Sequence, residues 1–182
     1  MQIPRHGAAL ALALAAAAGA ALAQGGVMKL GDVTESAIVD ALAPPAAATE
    51  GASGPRSRGF APALRPKKPA SAAVLITFVT DSAELTPESK ATLDVIGHAM
   101  SGGRLAKLAF EVEGHADPRG SDEHNAGLSR ERAESVVAYL VQEHGIARER
   151  LDPVGKGSAE PLNRERPDAP ENRRVTFVTR TN

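Results

Sequence analysis

The spacing of apolar residues along this chain changes several times, and each change marks an element. Residues 73–80, AVLITFVT, are a nearly unbroken apolar and β-branched run ended by Asp81-Ser82, which predicts a buried strand. In TPESKATLDVIGHAM the apolar residues shift to helical spacing, with Leu93, Ile96, Gly97 and Met100 on one face. Thr86 is placed to cap that helix, Pro87 to take its first position, and Gly102-Gly103 to end it. KLAFEVEGH returns to alternation, with Leu108, Phe110 and Val112 apolar between polar neighbours, and predicts a second strand. A longer helix is predicted from Asp122 to His144, closed by Gly145, with Leu128, Ala133, Val136, Val137 and Leu140 facing the core. RLDPVGKGS reads as a third strand made irregular by Pro153, residues 158–171 as a Pro-rich loop, and RRVTFVTR as the last strand. The order β-α-β-α-β-β predicts an α+β domain over residues 72–182, with two helices packed on one mixed sheet.

The chain ahead of this domain has a different texture. Residues 1–23 hold one Arg, an Ala-rich apolar run from Ala8, and the small-residue pattern Ala21-Leu22-Ala23 before Gln24. That is the layout of a secretory signal peptide cleaved after Ala23, and the run is short for a membrane-spanning helix. Within residues 24–71, Val33, Ile38, Val39 and Leu42 share one helical stripe, with Thr34 or Asp32 as cap and Pro44-Pro45 as stop. A helix this short is marginal alone. It reads either as a docking helix, for an envelope protein or for the domain itself, or as a segment largely disordered in isolation. From Ala43 to Ser71 the composition turns to Ala, Pro, Gly and Ser, which predicts an extended spacer. Its basic residues, Arg56, Arg58, Arg65, Lys67 and Lys68, read as solvated linker charges.

Composition narrows the chemistry. Residues 73–182 hold 18 acidic and 14 basic side chains, a poor match for a phosphate-tracking surface, so nucleic acid is not an expected partner. Trp is absent and aromatic residues make up 3%, which leaves little for stacking on bases or sugars. The chain has no Cys, which excludes disulfides, thiolate metal sites, a cysteine nucleophile and a lipid-modified N-terminal Cys.

The polar residues with a pattern lie between Gly114 and Arg132. Asn125, Ser129 and Arg132 are spaced i, i+4, i+7 and lie on one stripe of the predicted helix. Asp117 sits in GHADPRG, just past a strand end, where Gly114 and Gly120 permit close backbone approach and Pro118 stiffens the turn. A carboxylate there and a guanidinium on the neighbouring helix suit a zwitterion such as an amino-acid head group. The same two residues could instead form a structural ion pair, and Asn125 a helix-to-loop hydrogen bond. His115, Asp117 and His124 are poorly disposed for a metal, since residues two apart at a strand end with no further ligand make a weak site, and no metal or other cofactor is expected. GKGS at 155–158 lacks the glycine spacing and following helix of a phosphate loop. Ser129 with His124 or His115 has no nucleophile elbow around it, so the chain does not read as an enzyme.

GHADPRGSDEHNAGLSRERAESVVAYL, with FVTDSAEL before it and NRRV after it, resembles the OmpA-like C-terminal domain family, the type found in outer-membrane protein A and peptidoglycan-associated lipoprotein. The resemblance runs over residues 73–180. It implies non-covalent binding of peptidoglycan through the diaminopimelate residue of the stem peptide, linking the wall to the envelope in a Gram-negative periplasm. It also implies that Asp117 takes the ligand ammonium and Arg132 the adjoining carboxylate, with Asp81, Asn125 and Arg173 in support. The chain differs from the usual pattern at Ala116, where Thr is common, at Asp168-Ala169, where Gly-Arg often precedes the Asn-Arg-Arg run, and at Asp81, where some members have Asn. The resemblance extends to neither the lipidated Cys nor the barrel of those two branches.

Overall fold

The computed structural model describes residues 26–44, 69–79 and 81–180. The signal-peptide reading of residues 1–23 and most of the spacer lie outside them. Three α-helices and four strands follow in the order α1 (Glu35–Leu42), β1 (Ser71–Val74), α2 (Pro87–Ser101), β2 (Ala109–His115), α3 (Asp122–His144), β3 (Leu151–Gly157) and β4 (Val175–Arg180). The sheet runs β1-β4-β2-β3, antiparallel except for the β2–β3 pair that α3 connects. From β1 onward the order is the predicted β-α-β-α-β-β on a mixed sheet, and the fold class is α+β.

Local chemistry places both long helices where the sequence does. Thr86 accepts the Ser89 N–H at the start of α2 and Pro87 takes the first turn. Ser121 caps α3, and Gly145, in the left-handed region at φ 63°, closes it by donating to the carbonyls of Leu140 and Val141. Phe110 and Val112 of β2, Phe177 of β4, Leu93, Ile96 and Met100 of α2, and Val136 and Leu140 of α3 meet in one buried core. Pro153 is accommodated without breaking β3, because β3 lies at the sheet edge and needs only one partner strand. The irregularity falls later, where the β2–β3 register shifts between Gly114 and His115.

Two expectations need correction. Of the apolar run predicted as a strand over 73–80, only Ala73 and Val74 belong to the sheet strand Ser71–Val74, and Phe78 makes an isolated bridge to Leu85. Beyond Val74 the chain leaves the sheet to meet α2: the Thr77 N–H donates to Ser89 Oγ at 2.8 Å, and the Thr77 hydroxyl lies 2.9 Å from that of Thr86. An unbroken β-branched run carries no period to reveal that departure.

The second correction concerns helix number: three helices pack on the sheet, not two. Ile38 and Leu42 of α1 are fully buried in the same core, joined by Met28 and Val33. Met28 adds a bridge beside Val74, with its N–H bonded to Ala73 O and its carbonyl to the Leu75 N–H, both at 2.9 Å. Thr179 of β4 donates its hydroxyl to Leu42 O at 2.6 Å. Burial of two large aliphatic side chains supplies what an isolated eight-residue helix lacks. The segment 33–42 is therefore docked on its own domain, with its apolar anchors already used. No helix among the described residues is long and apolar enough to cross a membrane.

Candidate functional site

The site is built where β2, α3 and the segment before β4 converge. Gly114 allows the convergence: a Cβ on it would lie 2.0 Å from the Ser129 carbonyl oxygen of α3. Gly155 serves β3 in the same way, 2.7 Å from Ala126 O. With the N-terminal half of α3 this close, its inward positions there are the polar Asn125 and Ser129, both buried. Ser129 Oγ donates to Ala126 O at 3.0 Å and accepts the Gly157 N–H at 2.9 Å. The Gly157 carbonyl accepts from the Ala116 N–H, and Asn125 Nδ2 donates to the Asp117 carbonyl at 3.1 Å. The backbone of the GHADPRG turn is thus fastened to β3 on one side and α3 on the other.

Asp117 is only 5% exposed and is surrounded by guanidinium groups. Its Oδ1 accepts the Arg119 backbone N–H at 3.1 Å, closing a two-residue side-chain turn over Pro118. The Arg119 side chain donates from Nε to both carboxylate oxygens, at 3.0 and 3.1 Å, and from Nη2 to Oδ2 at 2.7 Å. Arg173 Nη1 reaches the same Oδ2 at 2.7 Å and also bonds Asp168 O at 3.3 Å. The Arg119 bonds chiefly, then those of Arg173, hold the Asp117 carboxyl at about 2, below its ordinary 3.8, against the opposing effect of burial.

Arg132 lies on the other side of the site. Its Nε donates to Ser82 O at 3.0 Å, and the guanidinium stands over the Phe78 ring, 4.9 Å from the centroid. Burial pulls its pKa below the ordinary arginine value, while Asp81 and Asp117 attract its charge and Arg173 repels it. Among the described residues, neither Arg132 Nη atom has a hydrogen-bond partner, so both donors can serve a carboxylate. Asp81 has a left-handed backbone, φ 50°, and its exposed carboxylate lies 3.3 Å from His124 Nε2. Three guanidiniums therefore gather around two carboxylates, an excess of donors for an anionic group.

A family model described as the OmpA family matches residues 77–174, more than half of the chain. The chain belongs to the OmpA family. It is 42% identical over 87 residues to outer membrane protein P5 of Haemophilus influenzae, a match covering 48% of this chain and 24% of that protein. It is 36% identical over 87 residues to outer membrane protein A of Escherichia fergusonii, covering 48% of this chain and 35% of that one. The chain thus spans about a third or less of the curated relatives it matches. Among solved structures, the periplasmic domain of Helicobacter pylori MotB is similar in fold, with a TM-score of 0.54 and 17% identity over 65% of this chain and 80% of that one. These relatives bear the names of cell-envelope proteins.

Within this OmpA family domain the five residues singled out from the sequence fall into different positions. Asp117 and Arg173 are in direct contact, whereas Arg132 and Asp117 are not paired and sit as separate poles. Asn125 is buried and donates its side-chain amide to the Asp117 backbone carbonyl. Asp81 stands at the rim, with its side chain 74% exposed. Ala169 is buried, and the loop supports Arg173 through the Asp168 carbonyl, which any residue at 168 could supply. Sequence reasoning missed Arg119. Its signal was the Asp-Pro-Arg order, since a carboxylate closing a turn over Pro brings the side chain two residues on back toward itself.

The histidines turn elsewhere. His115 is buried with Nε2 3.5 Å from Glu113, which also binds Lys156 Nζ at 2.9 Å, and His124 turns to Asp81. No cluster of three His, Asp or Glu suited to a metal occurs among the described residues. Burial pushes the Glu113 carboxyl up, but its His115 and Lys156 neighbours outweigh burial and bring it to about 2. Arg174, adjacent to Arg173, is buried and donates to Glu160 O at 3.2 Å, so the two arginines have separate surroundings.

Proposed function

We propose that this domain binds peptidoglycan non-covalently by its stem peptide, through the zwitterionic end of the diaminopimelate residue, and so links the wall to the envelope in the periplasm. Asp117 takes the ammonium, and Arg132, with Arg173 beside it, takes the carboxylate. The observation that carries this reading is the pairing of a nearly inaccessible carboxylate, fixed by backbone and guanidinium contacts, with a separate half-buried guanidinium whose Nη donors are unused by the described residues. Such groups are oriented before the ligand arrives, which reduces the cost of ordering them on binding. Asn125 and Ser129 are positioning residues, acting through the backbone of the turn. A reading in which residues 33–42 recruit an envelope protein is less well supported, because Ile38 and Leu42 are buried against the domain.

Cosedimentation with purified sacculi tests the proposal. Removing one pole leaves a ligand charge unpaired, so Asp117→Ala and Arg132→Ala should each weaken binding by about 2–4 kcal/mol, enough to leave the protein in the supernatant. Wild-type sedimentation by both folded variants would refute the assignment.

A further inference from the structure

We infer that Arg119 sets the selectivity of this site: it is a displaceable counter-ion of Asp117 that yields to a ligand ammonium only when the same ligand brings a carboxylate. The inference rests on the reading that Asp117 receives the ammonium, and it explains how a lone amine would be turned away.

In the ligand-free site Asp117 has no spare capacity. A carboxylate accepts about four hydrogen bonds, and five donor–acceptor contacts from Arg119 and Arg173 already converge on its two oxygens. An ammonium can enter only if one guanidinium leaves. Arg173 is tethered a second time, to Asp168 O, and its side chain is 37% exposed. The Arg119 side chain is 69% exposed, and its guanidinium bonds no other acceptor among the described residues. This long side chain can rotate outward into solvent about its own χ angles while the Arg119 backbone N–H still holds Oδ1. Arg119 is the group that leaves.

Charge decides what can displace it. Arg119, Arg132 and Arg173 against Asp81 and Asp117 leave the site one positive charge in excess, before any contribution from His124. A monocation such as a lysine side chain would raise that excess to two and release a guanidinium with nothing to pair with. A zwitterion leaves the excess unchanged, and its carboxylate receives Arg132 together with the freed Arg119. The exclusion of simple amines is therefore built from a repulsive element as well as an attractive one.

The test is competition binding of wild type and Arg119→Ala with two stem peptides that are identical except for diaminopimelate or lysine at the third position. Losing the counter-ion should strengthen binding of the lysine peptide about three- to tenfold, while the diaminopimelate peptide changes by less than about threefold. In parallel, the Asp117 carboxyl resonance of Arg119→Ala should titrate above the wild-type value of about 2. Unchanged or weaker lysine-peptide binding in the variant would overturn the inference, because a plain ligand contact gives that result. If wild type binds neither peptide, the function proposed for Asp117 fails, and this inference with it.

Discussion

Gly114→Ala isolates the closest approach in the fold. The added methyl would meet the Ser129 carbonyl oxygen at 2.0 Å and its carbon at 2.9 Å, where ordinary contact begins near 3.4 Å. The helix must therefore retreat by about 1.4 Å, and both sides of the contact are backbone, so no rotamer change can relieve it. Overpacking of this kind costs about 1–3 kcal/mol, and a backbone clash belongs at the upper end. The smaller unfolded-state entropy of Ala returns only about 0.4–1 kcal/mol, which leaves a net loss near 2 kcal/mol. A retreat of that size also stretches the 3.1 Å bond from Asn125 to the Asp117 carbonyl past any useful length, so sacculus binding should fall with stability. Gly127→Ala is the matched control: it lies in the same helix with nothing within 4 Å of its Cβ, so the substitution should stabilise by about 0.5–1 kcal/mol. Urea unfolding followed by circular dichroism measures both variants. A Gly114→Ala protein within 0.5 kcal/mol of wild type, or one that moves with Gly127→Ala, would refute the claim that this contact sets the site.

Two further predictions concern the fold around the site. Leu42→Ala should destabilise the protein by about 2–5 kcal/mol, because Leu42 is fully buried; a change below 1 kcal/mol in denaturant unfolding would mean that α1 is not part of the core. Glu113 and Asp117 both have folded values near 2, below the ordinary 4.5 and 3.8, so their contribution is complete above the ordinary values and is lost as pH falls toward 2. Glu113→Gln should therefore be less stable than wild type by about 2 kcal/mol near pH 6, with the gap closing by pH 2; parallel stability profiles across that range would contradict the assignment.

The ends of α2 and α3 were legible because their signals are local: Thr86-Pro87 and Gly102 for one, the run to His144 and Gly145 for the other. The polar stripe Asn125, Ser129 and Arg132 was legible as a stripe, but not as two roles. Leu128, expected in the core, is only half-buried, while polar Asn125 and Ser129 are buried. Leu128 lies on a different bearing of the helix from the buried face, and Gly114 and Gly155 bring that face so near the sheet that Asn125 and Ser129 are enclosed. Asp117 could be picked out from its turn, but its contact with Arg173 could not, since Arg173 arrives from a segment 56 residues away; Arg119 was legible only through the Asp-Pro-Arg order. The apolar stripe of α1 was legible, and Val33, Ile38 and Leu42 are buried, but eight residues carry too little periodicity to decide between the domain itself and another protein as what covers them.

The most direct measurement is calorimetric titration of the protein with a diaminopimelate stem peptide and with its lysine counterpart, which lacks the second carboxylate. Selective heat and saturation with the diaminopimelate peptide, abolished by Asp117→Ala, is the result this account predicts. Equal binding of the two peptides, or none to either by folded protein, would contradict zwitterion recognition at Asp117 and Arg132.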